Sequence, residues 1–141
     1  MKLKLSRFDM WSATIEDRAG GAADKLEPLG RAGVNLEFVF ARRTPELPGN
    51  GVLFVTPIKG RKTISAAQAV GLAKAEDVCA LRIEGPDKPG VTAHMVRALA
   101  NAGISFRALS AAAIGSKFVA YLALDTAEDM ARANRVLKKL C

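Results

Sequence analysis

The sequence predicts an α+β protein: two tandem copies of one small ferredoxin-like (βαββαβ) module, each an antiparallel sheet packed on helices. One reason is a repeat. Residues 17–38, DRAGGAADKLEPLGRAGVNLEF, align without a gap on residues 87–108, DKPGVTAHMVRALANAGISFRA, at a constant shift of 70 residues (87 − 17). Asp, Gly, Ala, Leu, Ala and Gly recur at 17/87, 20/90, 23/93, 29/99, 32/102 and 33/103. The other reason is periodicity, which in each copy passes from strand to helix to strand, then to strand and helix again. A repeat unit of half the chain indicates two copies of a domain, because solenoid units are shorter and more numerous.

In the first copy the pattern predicts a strand over residues 10–15, a helix over about 21–32 and a strand over 35–42. A turn, PELPGNG, follows, then a strand over 52–56, a helix over about 65–71 and a strand within 72–76. Pro28 should kink or shorten the first helix, since it lacks an amide donor. The boundary is expected between 73 and 77, giving one domain over residues 1–75 and a second over 76–141.

In the second copy, residues 78–84 alternate, with Cys79, Leu81 and Ile83 on one face and Arg82 and Glu84 on the other. From Val91 the apolar positions Met95, Ala98, Leu99 and Ala102 recur at helical spacing, and Gly103 stands where a left-handed C-cap is expected. A strand over 104–110, a loop over 111–116 and a strand over 117–124 follow. Thr126 and Asp129 have capping-box spacing before a last helix, with Met130, Ala133, Leu137 and Leu140 inward and Arg132, Arg135, Lys138 and Lys139 outward or near its C-terminal end. This copy lacks a fourth strand of its own. Residues 2–5, alternating charge and leucine, or a partner chain are expected to cover the open edge.

Composition bounds the function. Half of the 141 residues are apolar, enough for a real core, and the net charge is +7. The cations are scattered: Arg42 and Arg43, then Lys59, Arg61 and Lys62, then the last helix. A solvated basic surface accounts for them, and nucleic acid is disfavoured as a partner. Trp11, Phe38, Phe40 and Phe54 are expected in the core, because no basic, glycine-containing RNA-binding signature accompanies them. Two distant cysteines, Cys79 and Cys141, and one histidine, His94, give no zinc spacing and no catalytic set; His94 is expected in solvent and Cys79 in the core. No metal or cofactor is expected. No apolar run has signal-peptide or membrane-spanning length, so a reducing cytoplasm and no membrane partner are expected.

The loop before each long helix carries the functional signal. Gly20 and Gly90 free the backbone where a helix opens with unpartnered amides, a place that attracts a carboxylate. Asp17 and Asp87 would answer an ammonium or simply cap the helix.

EDRAGG with RAGVNL, and DKPGV with NAGISF, resemble the D-[RK]-P-G and G-[VI]-N-[IL] signatures of the ACT domain, and the whole chain is similar to small bacterial proteins made of two such domains in tandem. The resemblance implies paired, side-by-side modules, a regulatory role without catalysis, and a free amino acid or similar small carboxylate held between modules. It places Asn35 at a position that commonly reaches that ligand, with Ser105 as the shorter counterpart in copy two. The implied ligand-binding set is Asp17, Arg18, Gly20, Gly21, Asn35 and Leu36 in copy one and Asp87, Lys88, Gly90, Val91 and Ser105 in copy two. Ala19 departs from the signature proline that copy two keeps at Pro89, so the first loop is expected to be less rigid. A homodimer is expected, from the missing strand and from the pairing habit of the family. The alternatives are a protein-interaction module without ligand and, behind it, a nucleic-acid binder or cryptic enzyme; the enzyme or other protein it would regulate is not specified.

Overall fold

The computed structural model describes residues 2–140. They form two compact units: residues 9–75, and residues 2–8 together with 76–140. Cys141, expected as a free thiol, lies outside the described residues.

Lys4–Phe8 forms β1, which belongs to the second unit. Residues 9–75 fold as β2 (Trp11–Glu16), α1 (Ala23–Arg31), β3 (Phe38–Arg43), β4 (Asn50–Thr56), α2 (Arg61–Ala69) and β5 (Ala73–Lys74). The sheet order is β3-β4-β2-β5, antiparallel throughout. Alternation along the strands sends Trp11, Ala13, Leu53 and Val55 to one face, where Leu29 of α1, Ala67 of α2 and Leu72 complete the core.

Three expectations need correction in this unit. Phe38, Phe40 and Phe54 are not in the core: Phe40, 42% exposed, stands opposite Phe54 in the register, 6.4 Å from it, and the three share the face that alternation turns away from the helices. Helix α2 begins at Arg61, four residues before the expected start, because Gly60 enters it at φ +93° and the Thr63 hydroxyl donates back to the carbonyls of Lys59 and Gly60. Strand β3 begins only at Phe38, after an extended entry in which the Glu37 amide donates to the Thr56 carbonyl at 2.9 Å. Pro28 lies inside α1 without ending it, and α1 has 9 residues against 11 in its counterpart.

The second unit contains β6 (Cys79–Pro86), α3 (Val91–Asn101), β7 (Ala108–Ile114), β8 (Lys117–Leu124) and α4 (Ala127–Lys138), with sheet order β1-β6-β8-β7. This is the same antiparallel topology. Strand β1 takes the place beside β6 that β5 takes beside β2, in a register running from Lys4↔Glu84 to Phe8↔Ala80. Leu3 enters the core at 7% exposure and Leu5 packs against it. Gly85 makes room: a Cβ there would stand 2.7 Å from Leu3 Cδ2 and 3.2 Å from the Lys2 carbonyl oxygen. The absent fourth strand is thus supplied by this chain's own N-terminal segment, and the open edge at β6 no longer calls for a partner.

The hairpin is longer than expected. Ala111 to Ile114 are strand, paired as Ala111↔Ala120 to Ile114↔Lys117, and only Gly115 and Ser116 turn. Residues 104–107, expected as strand, are its entry. Thr126 caps α4 as its spacing predicts, the hydroxyl accepting from the Asp129 amide at 3.0 Å; the Asp129 carboxylate instead accepts from Arg132 at 3.3 Å. Arg132 also donates to the Ala102 carbonyl, at the C-terminal end of α3. Met130, Ala133 and Leu137 are buried and Leu140 is half-buried. Cys79 is half-buried against the core and His94 is exposed, as expected.

Candidate functional site

In each unit the expected ligand residues fall into two groups, a loop after the first strand of the repeat and an entry to the second. The sheet register keeps these groups apart. Glu16 pairs with Asn50 and Arg43 with Gly51, so the loop starting at Asp17 lies at that end of the sheet; Trp11 pairs with Val55 and Phe38 with Thr56, so Asn35 and Leu36 lie at the other. Six residues of strand separate the ends by roughly 20 Å. Likewise Asp87 follows the Pro86↔Lys117 end of the second sheet, while Ser105 precedes the Ala108↔Ala123 end. No unit brings its own loop and strand entry together.

The loops share a backbone plan. The Asp17 amide donates to the Gly49 carbonyl at 3.0 Å and the Asp87 amide to the Ser116 carbonyl at 2.9 Å, pinning each loop to the facing hairpin turn. Gly20 and Gly90 have φ +90° and +79°, left-handed values that direct the chain into the helix without a Cβ penalty. Neither α1 nor α3 has a side-chain cap, so capping does not account for either aspartate.

The side chains differ. Asp17 is taken by Arg43, whose Nε donates to both carboxylate oxygens at 3.1 and 3.0 Å. Arg18 is taken by Glu16 and by Asp24, the latter at 2.6 Å. The hydrogen bonds to Glu16 and then Asp24 raise the Arg18 pKa further above its ordinary value, so it is a fixed cation. Where copy one lacks the signature proline, these ion pairs tie the loop instead. Gly21 has a steric reason as well: a Cβ there would collide with the Glu16 carbonyl. In copy two, Asp87 and Lys88 are exposed and make no ion pair among the described residues, Gly90 is exposed, and Val91 is turned into the core at 6% exposure.

At the other end of the first sheet, Asn35 lines an open cleft of about 160 Å³ with Gly33, Val34, Pro57, Lys59 and Thr63. Leu36 is half-buried against the core. Lys59 and Thr63 were not among the expected residues; they share the cleft with Asn35 because β4 ends beside the entry to β3, a neighbourhood the repeat gives no sign of. Ser105 is exposed in the corresponding entry. There Arg107 braces the backbone, its amide donating to the Ala123 carbonyl at 2.8 Å and its guanidinium to Asp125 at 3.1 Å and Asp77 at 3.3 Å. The hydrogen bonds to Asp77 and Asp125 raise its pKa. Among the described residues no group of three or more His, Cys, Asp or Glu side chains could hold a metal ion, and no helix is long and apolar enough to cross a membrane.

Comparison with known proteins bears on the fold. The model of the ACT domain matches residues 80–141. No protein of curated function matches the sequence. Among solved structures, protein BT0572 from Bacteroides thetaiotaomicron is similar with a TM-score of 0.78 at 18% identity, over 96% of this chain and 89% of that one. The regulatory subunit of aspartate kinase from Thermus thermophilus, in ligand-free form, gives a TM-score of 0.67 at 18% identity, over 99% of this chain and 96% of that one. The corresponding subunit from Thermus flavus gives 0.59 at 18% identity, over 97% of each chain. At such identities the likeness is one of fold.

Proposed function

We propose that this chain is a non-catalytic regulatory protein of two tandem ACT modules that binds a free amino acid, or a similar small carboxylate, between modules; the ACT-domain model matches residues 80–141, and residues 9–75 repeat the sheet topology. One observation carries the reading: loop and strand entry lie at opposite ends of each sheet. A ligand of amino-acid size cannot span roughly 20 Å, so a loop serves it only when the strand entry of another module is brought against that loop. The loops supply glycine-led helix starts for the carboxylate, and Asp87, which has no ion-pair partner among the described residues, is the better ammonium acceptor of the two aspartates. Asn35, with both a carbonyl and an amide to offer, is the better strand-entry group. A homodimer, which would provide further module pairs, is part of the proposal; the open edges at β3 and β7 support it.

Calorimetric titration of the full chain with each of the twenty amino acids tests this. We expect one or a few to bind, and to raise the melting temperature in a concentration-dependent way. Asp87→Asn and Asn35→Ala should each weaken that binding while leaving the unliganded melting temperature within about a degree or two, since exposed groups contribute little to folding. Absence of heat and of stabilisation with all twenty would refute the reading.

A second reading has an observation of its own. Val39 at 47% and Phe40 at 42% exposure on β3, and Ile114 at 77% on β7, place apolar side chains on the unpaired edges. An ACT-fold module used for protein contact alone would present such edges, and a flat amino-acid screen would favour it.

A further inference from the structure

The unit formed by residues 2–8 and 76–140 holds a second recess, which adjoins the Asp87 loop through Pro86 and Ser116 but is lined by none of the ligand residues above. It is an open groove of about 510 Å³ at the junction of β1, β6 and the start of β8, within the range of about 300–1,000 Å³ usual for small-molecule sites. Lys2, Lys4 and Lys117 line it, and Leu3 and Pro86 add apolar surface. None of the three lysines makes an ion pair among the described residues. The single lining carboxylate among the described residues, Glu84, is taken by Arg82. Arg82 is itself fixed: burial alone would lower its pKa, but the hydrogen bond to Tyr121 at 3.2 Å and the pairing with Glu84 outweigh burial and raise it.

We propose that this groove binds a polyphosphate-bearing small molecule, and that the bound anion clamps β1 to the sheet. Charge and width both lead there. Among the described residues, three lysines without ion pairs line one groove whose only acid is already paired. Lys4 of β1 is opposite Glu84 on one side of β6 and Lys117 of β8 opposite Pro86 on the other, so their strand positions, two strand spacings and two residues apart, are separated by about 12 Å. One carboxylate or one phosphate brings fewer negative charges than the three ammonium groups carry, whereas a chain of phosphates brings several along its length. Lysine binds phosphate as a flexible point charge, which suits such a chain. Two of the three cations ride on the N-terminal segment and one on the body of the sheet. An anion joining them therefore opposes separation of β1 from β6, and with it withdrawal of Leu3 from the core.

The test uses the full chain, with tripolyphosphate and ATP as probes. Both should bind with an affinity that falls as salt rises, if the phosphates are what the groove holds; binding of ATP alone would still support the site and add the nucleoside to its requirements. Lys4→Glu with Lys117→Glu should weaken binding at least about tenfold. Lys62→Glu with Arg97→Glu makes the same change in net charge at exposed positions elsewhere and should leave binding intact. Bound tripolyphosphate, or ATP if only ATP binds, should slow amide exchange across Lys4–Phe8. Failure of both probes to bind, equal losses in the two double variants, or binding with no added protection of β1 would each overturn the proposal. The amino-acid titrations are a separate measurement, so either reading can fail without the other.

Discussion

Truncation of Leu3 to alanine gives the most direct measure of whether the N-terminal strand is structural or ornamental. The side chain is 7% exposed and belongs to the core of residues 2–8 and 76–140. Removing its three outer carbons forfeits about 2.5 kcal/mol at about 0.8 kcal/mol per buried methylene. Buried Leu→Ala changes cost about 2–5 kcal/mol, and an edge strand can settle into part of the space, which places the expectation at about 2–3 kcal/mol. For a unit of this size, with a urea m-value near 1 kcal/mol per M, that corresponds to a loss of roughly 2 M in midpoint. The assay is urea unfolding followed by far-UV circular dichroism and, separately, by the fluorescence of Trp11, the single tryptophan, which is 6% exposed in the core of residues 9–75. The dichroism transition should move early, and the tryptophan transition should move less. A midpoint change under about 0.5 M, or a shift confined to Trp11, would show that Leu3 does not stabilise the unit assigned to it.

Other substitutions probe single features. Gly30→Ala, in α1 where a Cβ meets nothing within 4 Å, should stabilise by about 0.5–1 kcal/mol in chemical denaturation. Gly90→Ala, equally unobstructed but at φ +79°, should cost about 1 kcal/mol by the same measurement, since only the backbone conformation is at stake. Thr126→Ala removes the hydroxyl that accepts from the Asp129 amide and should lower stability by about 1 kcal/mol, with Thr126→Ser close to the parent. Arg43→Gln frees Asp17 but should change the melting temperature little, because the Arg43 side chain is 81% exposed and such pairs contribute about 0–1 kcal/mol.

Much of the fold is legible in the sequence, because the apolar period and the 70-residue shift both reflect what the core demands. Strand β8 has the bounds its alternation predicts, and Thr126 caps its helix, since both depend on nearest neighbours alone. Where tertiary context decides, the pattern misleads. Ala111 to Ala113 carry no strand-like bulk, yet β8 recruits them into the hairpin. Gly60, Arg61 and Lys62 show no apolar face, yet they open α2. Phe40 alternates as a core residue would, but faces away from the helices. The ligand residues divide in the same manner: the doubled loop is visible as a motif, while the partners Arg43, Lys59 and Arg107 come from strand register, which no single segment encodes.

Strand β1 also sets an order of events during synthesis. The ribosome produces it before residues 9–75, yet its partner β6 and the core that receives Leu3 come only after them. The inserted unit can close on itself as soon as it emerges, while β1 waits, unpaired, for some seventy further residues. Lys4 and Arg7, exposed along that waiting strand, are the kind of charged positions that discourage a nascent edge from pairing with a neighbouring chain. Maturation of the second unit thus requires late closure of a long chain loop, and a chain interrupted before β6 would have one finished module and one strand without a sheet.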